Sequence, residues 1–414
     1  MAAPENPASL IRQVVAATVT ALQAGQGFSF AAPRITLSGE GSAVRLGATL
    51  HAMGFRSALC ISDLMVSELG LHRGLVQGCE DQGIRTRVFD RVSGEPDADT
   101  VAEALSEHRR QPTDVVIGIG GGSALDAAKA VAALAGDAAA TVAALAAGGA
   151  PMCRAVGLAC VPTTAGTGSE VTDVAVIMAP DHSSKYVIKG PCLMPDVAVL
   201  DGGLMKGLPP AITAATGIDA LTHAIEAYVC RAANPLSSAL AFWAVQTIAV
   251  SLPVAVGNGA DGPSRGDMAL AAYKAGLAFS NAGLGLVHAM SHAIGARYHI
   301  PHGVANGLLL TEVMRFNRLV CEAHYAELAV ALGVATERLN QRQRALAAID
   351  AVACLIGDIG LDRAAADYPV RAEDYPALAQ LALADSCCAS NPRQVSADDI
   401  VRIYGAIWGA PQQR

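Results

Sequence analysis

Two short segments carry most of the residues capable of chemistry: GIDALTHAIEAY (217–228) and GLGLVHAMSHAIGARYHIPHG (283–303). Asp219 and His223 are four residues apart, as are His288 and His292, so on a helix each pair shares a face. Asp219, His223, His288 and His302 together offer one carboxylate and three imidazoles. That donor set suits a divalent transition ion acting as a Lewis acid on a small oxygen substrate, which points to an enzyme. Four of the ten histidines (His288, His292, His299 and His302) fall within fifteen residues, more than scattered structural histidines would give. Spacing alone leaves open which of these four bind, since His299 also sits three before His302.

The chain that must position these groups has 414 residues, enough for two domains with sizeable cores. It is 52% hydrophobic and only 16% charged, a globular composition and not a disordered one. The net charge is −8 with no dense run of Lys or Arg, which argues against nucleic acid or an anionic membrane surface as a partner. Ten cysteines are scattered without a C-x-x-C pair, as expected of reduced thiols in a cytoplasmic protein. Residues 1–26 lack the basic start and apolar core of a signal peptide. The longest apolar run, 240–256, contains Gln246, Thr247, Ser251 and Pro253, and reads as a buried helix ending near the proline rather than a membrane span.

Residues 8–23 have the pattern of a short amphipathic helix, so 1–29 is read as an N-terminal extension. From 30 to 207, short apolar runs alternate with helical stretches. Strands are expected at 56–61, 85–89, 115–119, 155–161, 172–178 and 197–200, with helices at 97–109 and 123–135. Such alternation predicts an α/β domain built on a mostly parallel sheet. Lys206, Gly207, Pro209 and Pro210 interrupt the pattern, and 208–414 is expected to be all-helical. The helices are expected at 211–230, 235–251, 267–280, 284–297, 304–315, 322–332, 343–358, 373–387 and 396–407.

Strand 115–119 runs into Gly118-Ile119-Gly120-Gly121-Gly122-Ser123 and then a helix. A glycine-rich strand-to-helix turn lets phosphate oxygens approach bare amides at a helix N-terminus. The pattern is neither G-x-G-x-x-G nor a P-loop. A second polar loop, PTTAGTGSE (162–170), follows strand 155–161. Two such loops at the carboxyl ends of parallel strands suit one elongated ligand such as a dinucleotide. Asp63, just after strand 56–61, could accept hydrogen bonds from an adenosine ribose and repel a 2′-phosphate, favouring NAD over NADP.

Four motifs in order, GGGSALDAAK (120–129), PTTAGTGSE (162–170), GIDALTHAIEAY (217–228) and HAMSHAIGARYHIPHG (288–303), resemble the iron-containing (group III) alcohol dehydrogenases over about 30–408. SGEPDADT (93–100) and SNPRQVS (390–396) are similar to the branch containing the ethanolamine-utilisation alcohol dehydrogenase. The resemblance implies a dehydroquinate synthase-like fold, with a dinucleotide-binding N-terminal domain, an all-α C-terminal domain and the site in the cleft between them. It implies metal ligands Asp219, His223, His288 and His302, with His292 as a proton relay. It also implies NAD contacts from Asp63, Gly121, Gly122, Ser123, Thr163 and Thr164, and a substrate pocket lined by Phe279 and Cys387. The implied cofactors are NAD and Fe(II), with Zn(II) as the other candidate. The implied activity is interconversion of short primary alcohols and small aldehydes, ethanol and acetaldehyde first. The oligomeric state is open, with a homodimer as the general default. The alternatives are reduction of a sulfonated, phosphonated or hydroxylated aldehyde, or polyol oxidation of the glycerol dehydrogenase kind. One departure is Glu95-Pro96-Asp97, where many members carry Asn-Pro-Thr.

Overall fold

The computed structural model describes residues 27–137, 139–149, 151–180 and 185–409, so the expected helix at 8–23 lies outside the described residues. These residues form two compact units. One comprises Ala32–Thr213 with Asn258–Gly276, and the other 27–31, 214–257 and 277–409.

The first unit is built on a sheet of six parallel strands: β1 (Ile35–Ser38), β2 (Ser57–Asp63), β3 (Arg85–Val92), β4 (Val115–Gly120), β5 (Gly157–Pro162) and β8 (Val197–Leu200). Their order is β1-β8-β5-β4-β2-β3. In register, Ala58 of β2 faces Val115 of β4, which faces Gly157 of β5. Strands β4, β5 and β8 are buried along their whole length, as a parallel sheet covered on both faces requires. Alternate side chains enter opposite cores. Leu59, Ile61, Val116, Leu158 and Cys160 belong to one, and Ala58, Cys60, Ile117, Ala159 and Val161 to the other. Helices α1 (Ser42–Ala52), α2 (Leu64–Glu68), α3 (Arg73–Asp81), α4 (Ala98–Arg110) and α5 (Gly122–Leu134) cover the sheet. The connection from β2 runs to one side of the sheet and that from β4 to the other. The carboxyl ends of β2 and β4 therefore flank the crevice where an open α/β sheet receives a ligand.

The strands at 56–61, 85–89, 115–119, 155–161 and 197–200 appear within a few residues of their expected bounds. Residues 172–178 do not join the sheet: β6 (Val174–Met178) pairs antiparallel with β7 (Lys185–Lys189) as a separate ribbon. The four-residue β1 and the lysine-flanked β7 carry too little apolar pattern to stand out in the sequence.

The second unit is helical, and no strand follows Pro210 among the described residues. Its elements are α6 (Pro210–Val229, from Ala214), α7 (Pro235–Gly257), the end of α8 (Gly262–Ala282), α9 (Leu286–Tyr298), α10 (His302–Ala331), α11 (Gln341–Asp358), α12 (Tyr375–Ala384), α13 (Ser386–Ala389) and α14 (Ala397–Trp408). Helix α10 packs against α7, α9, α11 and α14.

Three helix expectations change. Helix α7 continues through Pro253 to Gly257 instead of stopping near the proline. It is long and apolar enough, by length and composition, to cross a membrane, yet 44% of its most apolar stretch is buried and it packs on α10 and α11. The segments 304–315 and 322–332 are one helix with a kink at Cys321 (φ −116°, ψ 17°), because FNRLVC (316–321) has no Gly or Pro to break it. Residues 373–387 instead split at Asp385, whose extended backbone (φ −71°, ψ 136°) caps α13.

The compact units also divide differently from the 207/208 boundary read in the sequence. Residues 208–213 and 258–276 group with the α/β unit. There Arg265 donates to Thr213 Oγ1 (2.7 Å) and to the Leu208 carbonyl (3.1 Å), and Tyr273 Oη lies 2.6 Å from Thr36 Oγ1.

Candidate active site

On α6, Asp219 and His223 lie one turn apart and are both 4% exposed. On α9, His288 is the third helical residue and is 1% exposed. His302 opens α10, behind Pro301 at the N-cap. Gly303 lets α10 approach α6 closely: a Cβ there would lie 2.0 Å from the Ala215 carbonyl oxygen, so any side chain would push His302 away.

These four side chains, from three helices, converge. One donor atom from each lies within 4.8 Å of the others. Asp219 Oδ1 is 3.5 Å from His223 Nε2, 3.7 Å from His288 Nε2 and 3.5 Å from His302 Nε2. A tetrahedral ion with bonds of about 2.0–2.2 Å holds neighbouring ligand atoms about 3.3–3.6 Å apart, so the donor set fits such an ion. The chemistry of the set points the same way. Asp219 Oδ1, His288 Nε2 and His302 Nε2 converge on the Asn306 amide nitrogen, at 2.8, 3.3 and 3.2 Å respectively. Asn306 Oδ1 is meanwhile buried without a hydrogen-bond partner.

Electrostatics reflect the crowding. Burial opposes ionisation of Asp219, yet His223, His302 and His288 hold its carboxyl far below the ordinary range. Burial likewise opposes a charged His288, but Asp219 and Glu226 outweigh it and push that imidazole up to about 9.

His292 is beside the cluster and not in it. Its ring stacks on His302 (5.3 Å, 17°), and its Nδ1 lies 2.8 Å from Asp385 Oδ2. Its side chain is 45% exposed. Burial opposes ionisation of Asp385, but His292 pulls its carboxyl down to about 2. Cys387, whose amide caps onto Asp385, groups with His292 and Asp385, and burial together with that carboxylate pushes its thiol up. Phe279 stacks on His223 (4.3 Å, 28°). His299 lies outside the cluster and ends α9 in the left-handed conformation (φ 55°). The sequence reading missed Glu226, Asn306 and Asp385. Glu226, seven residues after Asp219, and Asn306, four after His302, had a usable signal in their spacing on one helix face, whereas Asp385 had none.

In the α/β unit, the residues singled out for the cofactor lie at the carboxyl ends of three neighbouring strands. Asp63 ends β2, Gly120 ends β4, and Thr163 follows β5. Thr163 N donates to the Gly120 carbonyl (2.9 Å), which joins the two polar loops. Gly120 has φ 151°, and a Cβ there would meet Ala124 Cβ at 2.7 Å and Asp63 Oδ2 at 2.8 Å. The turn therefore excludes side chains. Gly121 is the N-cap of α5, with Gly122 and Ser123 next, and no side chain caps this end, so its amides can face an anion. Thr164 lies beside Gly121, and Thr167 beside Gly122. Asp63 also caps α2 by accepting from Val66 N (2.8 Å). The divergent Glu95 is paired with Lys185 (2.5 Å), and Asp97 caps α4 through Thr100 N (2.6 Å).

Helix α5 also carries a buried polar network. Asp126 accepts from Ser169 Oγ (2.6 Å) and Val176 N (2.9 Å), while Lys129 Nζ bonds Thr172 Oγ1 and the Val174 carbonyl (2.8 Å each). These bonds tie the loop after β5 to the glycine-turn helix.

The family model for iron-containing alcohol dehydrogenases matches residues 33–202, and that for the C-terminal part of the Fe-containing alcohol dehydrogenase family matches 213–408. A probable alcohol dehydrogenase of Escherichia coli, EutG, is 42% identical over 378 residues, covering 91% of this chain and 94% of its own. The solved alcohol dehydrogenase of Oenococcus oeni superposes with a TM-score of 0.88 at 32% identity, covering 92% of this chain and all of its own. The sulfoacetaldehyde reductase of Bifidobacterium kashiwanohense, solved in complex with NAD+, gives 0.85 at 27% identity, covering 93% and 100%. With both halves matched and a relative this similar along nearly its whole length, the chain belongs to the iron-containing alcohol dehydrogenase family.

Proposed function

We propose that this enzyme is a metal-dependent, NAD(H)-linked alcohol dehydrogenase and aldehyde reductase acting on short primary alcohols and small aldehydes. The observation that carries the reading is the convergence of Asp219, His223, His288 and His302 from three helices. Family membership implies a divalent ion, and these four residues would hold it. Three nitrogens and one oxygen suit Fe(II), as the family name has it, and also Zn(II). A bound divalent ion supplies Lewis-acid chemistry, polarising a substrate oxygen so that hydride exchange with nicotinamide becomes feasible.

The chain's own residues do the rest. Buried Asp219 offsets part of the ionic charge and, with Asn306 donating to it, keeps a fixed orientation. His292 stands next to the ligand set and is exposed enough to pass a proton to solvent, while Asp385 holds its Nδ1. Phe279, stacked on His223, supplies an apolar wall, and Cys387 a second one. The open N-terminus of α5 and the hydroxyls of Thr163 and Thr164 would cradle a pyrophosphate, with Ser123 beside them. Asp63 would favour NAD by repelling a 2′-phosphate. The relative solved with NAD+ supports that cofactor. All ten cysteines are free thiols, which supports a reducing, cytoplasmic setting. A homodimer is the assembly we expect.

The relative that reduces sulfoacetaldehyde keeps a second substrate reading open, a functionalised two-carbon aldehyde. The experiment that tests both is NADH oxidation across acetaldehyde, hydroxylated aldehydes and sulfoacetaldehyde, with Fe(II) or Zn(II) supplied. Turnover of acetaldehyde at the highest kcat/KM supports the first reading. A sulfonated aldehyde preferred by a hundredfold replaces it with the second. No turnover of any of them, with metal and NADH bound, refutes both.

A further inference from the structure

Asp219, His223 and Glu226 are spaced 0, 4 and 7 along α6 and so lie on one face. Asp219 and His223 join the donor cluster. Glu226, 4% exposed, instead reaches the start of α9. Its Oε1 accepts from Val287 N (2.6 Å), and its Oε2 accepts from Gly285 N (2.9 Å). Oε2 also lies 2.7 Å from His288 Nδ1.

The first amides of a helix have no partner within it, and the positive end of the helix favours an anion. The N-cap of α9 is Gly285, which has no side chain to cap with. The carboxylate from α6 takes that place. Both of its oxygens already receive backbone N–H groups, so the atom facing His288 is an acceptor and Nδ1 carries the proton of that bond. This leaves Nε2, on the other side of the ring, as the nitrogen directed at Asp219 Oδ1 (3.7 Å).

We propose that Glu226 is a positioning residue for the metal site. It fixes the tautomer and orientation of His288 and, through the same carboxylate, clamps α9 to the helix that carries Asp219 and His223. The inference rests on the metal reading above. The arrangement is a carboxylate–histidine–metal relay, in which the outer carboxylate makes the inner imidazole a better and better-aimed donor.

The fold supplies a control. Asn391 Oδ1 accepts from Leu286 N (3.2 Å), capping the same helix end, but Asn391 makes no bond to His288. Zinc affinity of metal-stripped full-length protein, measured by competition with a chromophoric chelator, is therefore compared among wild type, Glu226→Gln and Asn391→Ala, with the Tm of each apoprotein recorded alongside. The glutamine is isosteric but presents an N–H where an acceptor is needed. We expect Glu226→Gln to bind zinc about 10- to 100-fold more weakly, and Asn391→Ala to lower Tm with zinc affinity unchanged. A purely structural cap would give two variants with lowered Tm and wild-type affinity, which overturns the proposal. Wild-type protein that takes up no zinc overturns the metal reading itself, and the role of Glu226 with it. If Glu226→Gln does not fold, 15N-histidine NMR of the zinc-loaded wild type decides. A proton on His288 Nδ1, protected from exchange, supports the proposal, and metal bonded through Nδ1 overturns it.

Discussion

Glu170 closes the loop that carries Thr163 and Thr164, and it is 2% exposed. Burial pushes its carboxyl up to about 7 from an ordinary 4.5, against the pull of a backbone amide and of Lys129. The gap corresponds to about 3 kcal/mol at about 1.4 kcal/mol per pH unit. Because the folded value lies above the unfolded one, the native protein holds an extra proton between about pH 4.5 and 7. Stability from this group is therefore full at low pH and is lost as pH rises through that window, with the whole penalty present by pH 8. Glu170→Gln removes the titration. The variant should exceed wild type by about 1 kcal/mol at pH 5 and by about 3 kcal/mol at pH 8. Lys129, fully buried, keeps its bonds to Thr172 and Val174 and its ion pair with Asp126 (3.9 Å), so it does not become an isolated charge. Calorimetric Tm values at pH 5, 6, 7 and 8 test this, with an expected gain of about 5–10 °C at pH 8 for a unit of this size. A variant that loses stability equally at every pH would refute the reasoning, because it would mean that the charged carboxylate is a needed partner and not a buried burden.

Two further outcomes follow from the sites. Asp63 both caps α2 and faces the proposed ribose position, and substitutions separate the roles. Asp63→Asn and Asp63→Ala should each raise kcat/KM for NADP relative to NAD by about tenfold or more by removing like-charge repulsion, while only the alanine variant loses about 1 kcal/mol of capping stability. Kinetics with both cofactors and a melt of each variant check this. With His288 pushed up to about 9 in the metal-free protein, it is protonated at pH 7. Ion uptake there should release about one proton, and affinity should fall about tenfold for each pH unit below 9. Calorimetric titration with Zn(II) in buffers of different ionisation enthalpy measures the release, and zero protons released would contradict the assignment.

The parallel α/β architecture could be read from the sequence because β2, β4, β5 and β8 are continuous apolar runs, and such runs mark a sheet buried on both faces. Residues 174–178 are a similar apolar run but pair away from the main sheet, a choice made by tertiary packing that no local pattern encodes. The helix at 235–257 ran past its expected end because one proline in a well-packed helix removes a single backbone bond without stopping the helix. At the donor cluster, i,i+4 spacing predicted that Asp219 and His223 share a face. Choosing His288 and His302 over His292 and His299 took the family likeness, and the structure brings the chosen pair to Asp219. The supporting groups were harder to see. Asp385 reaches His292 only because a break between two helices aims it there, while Asn306 follows His302 by four residues on one helix face.

The most direct measurement is anomalous diffraction from crystals of the full-length protein loaded with one equivalent of Zn(II) or Fe(II). One strong peak is expected within about 2.0–2.3 Å of Asp219, His223, His288 and His302, with NAD-linked alcohol oxidation lost on chelation and restored by the ion. A peak bonded to other residues, or full activity after exhaustive removal of metal, would contradict it.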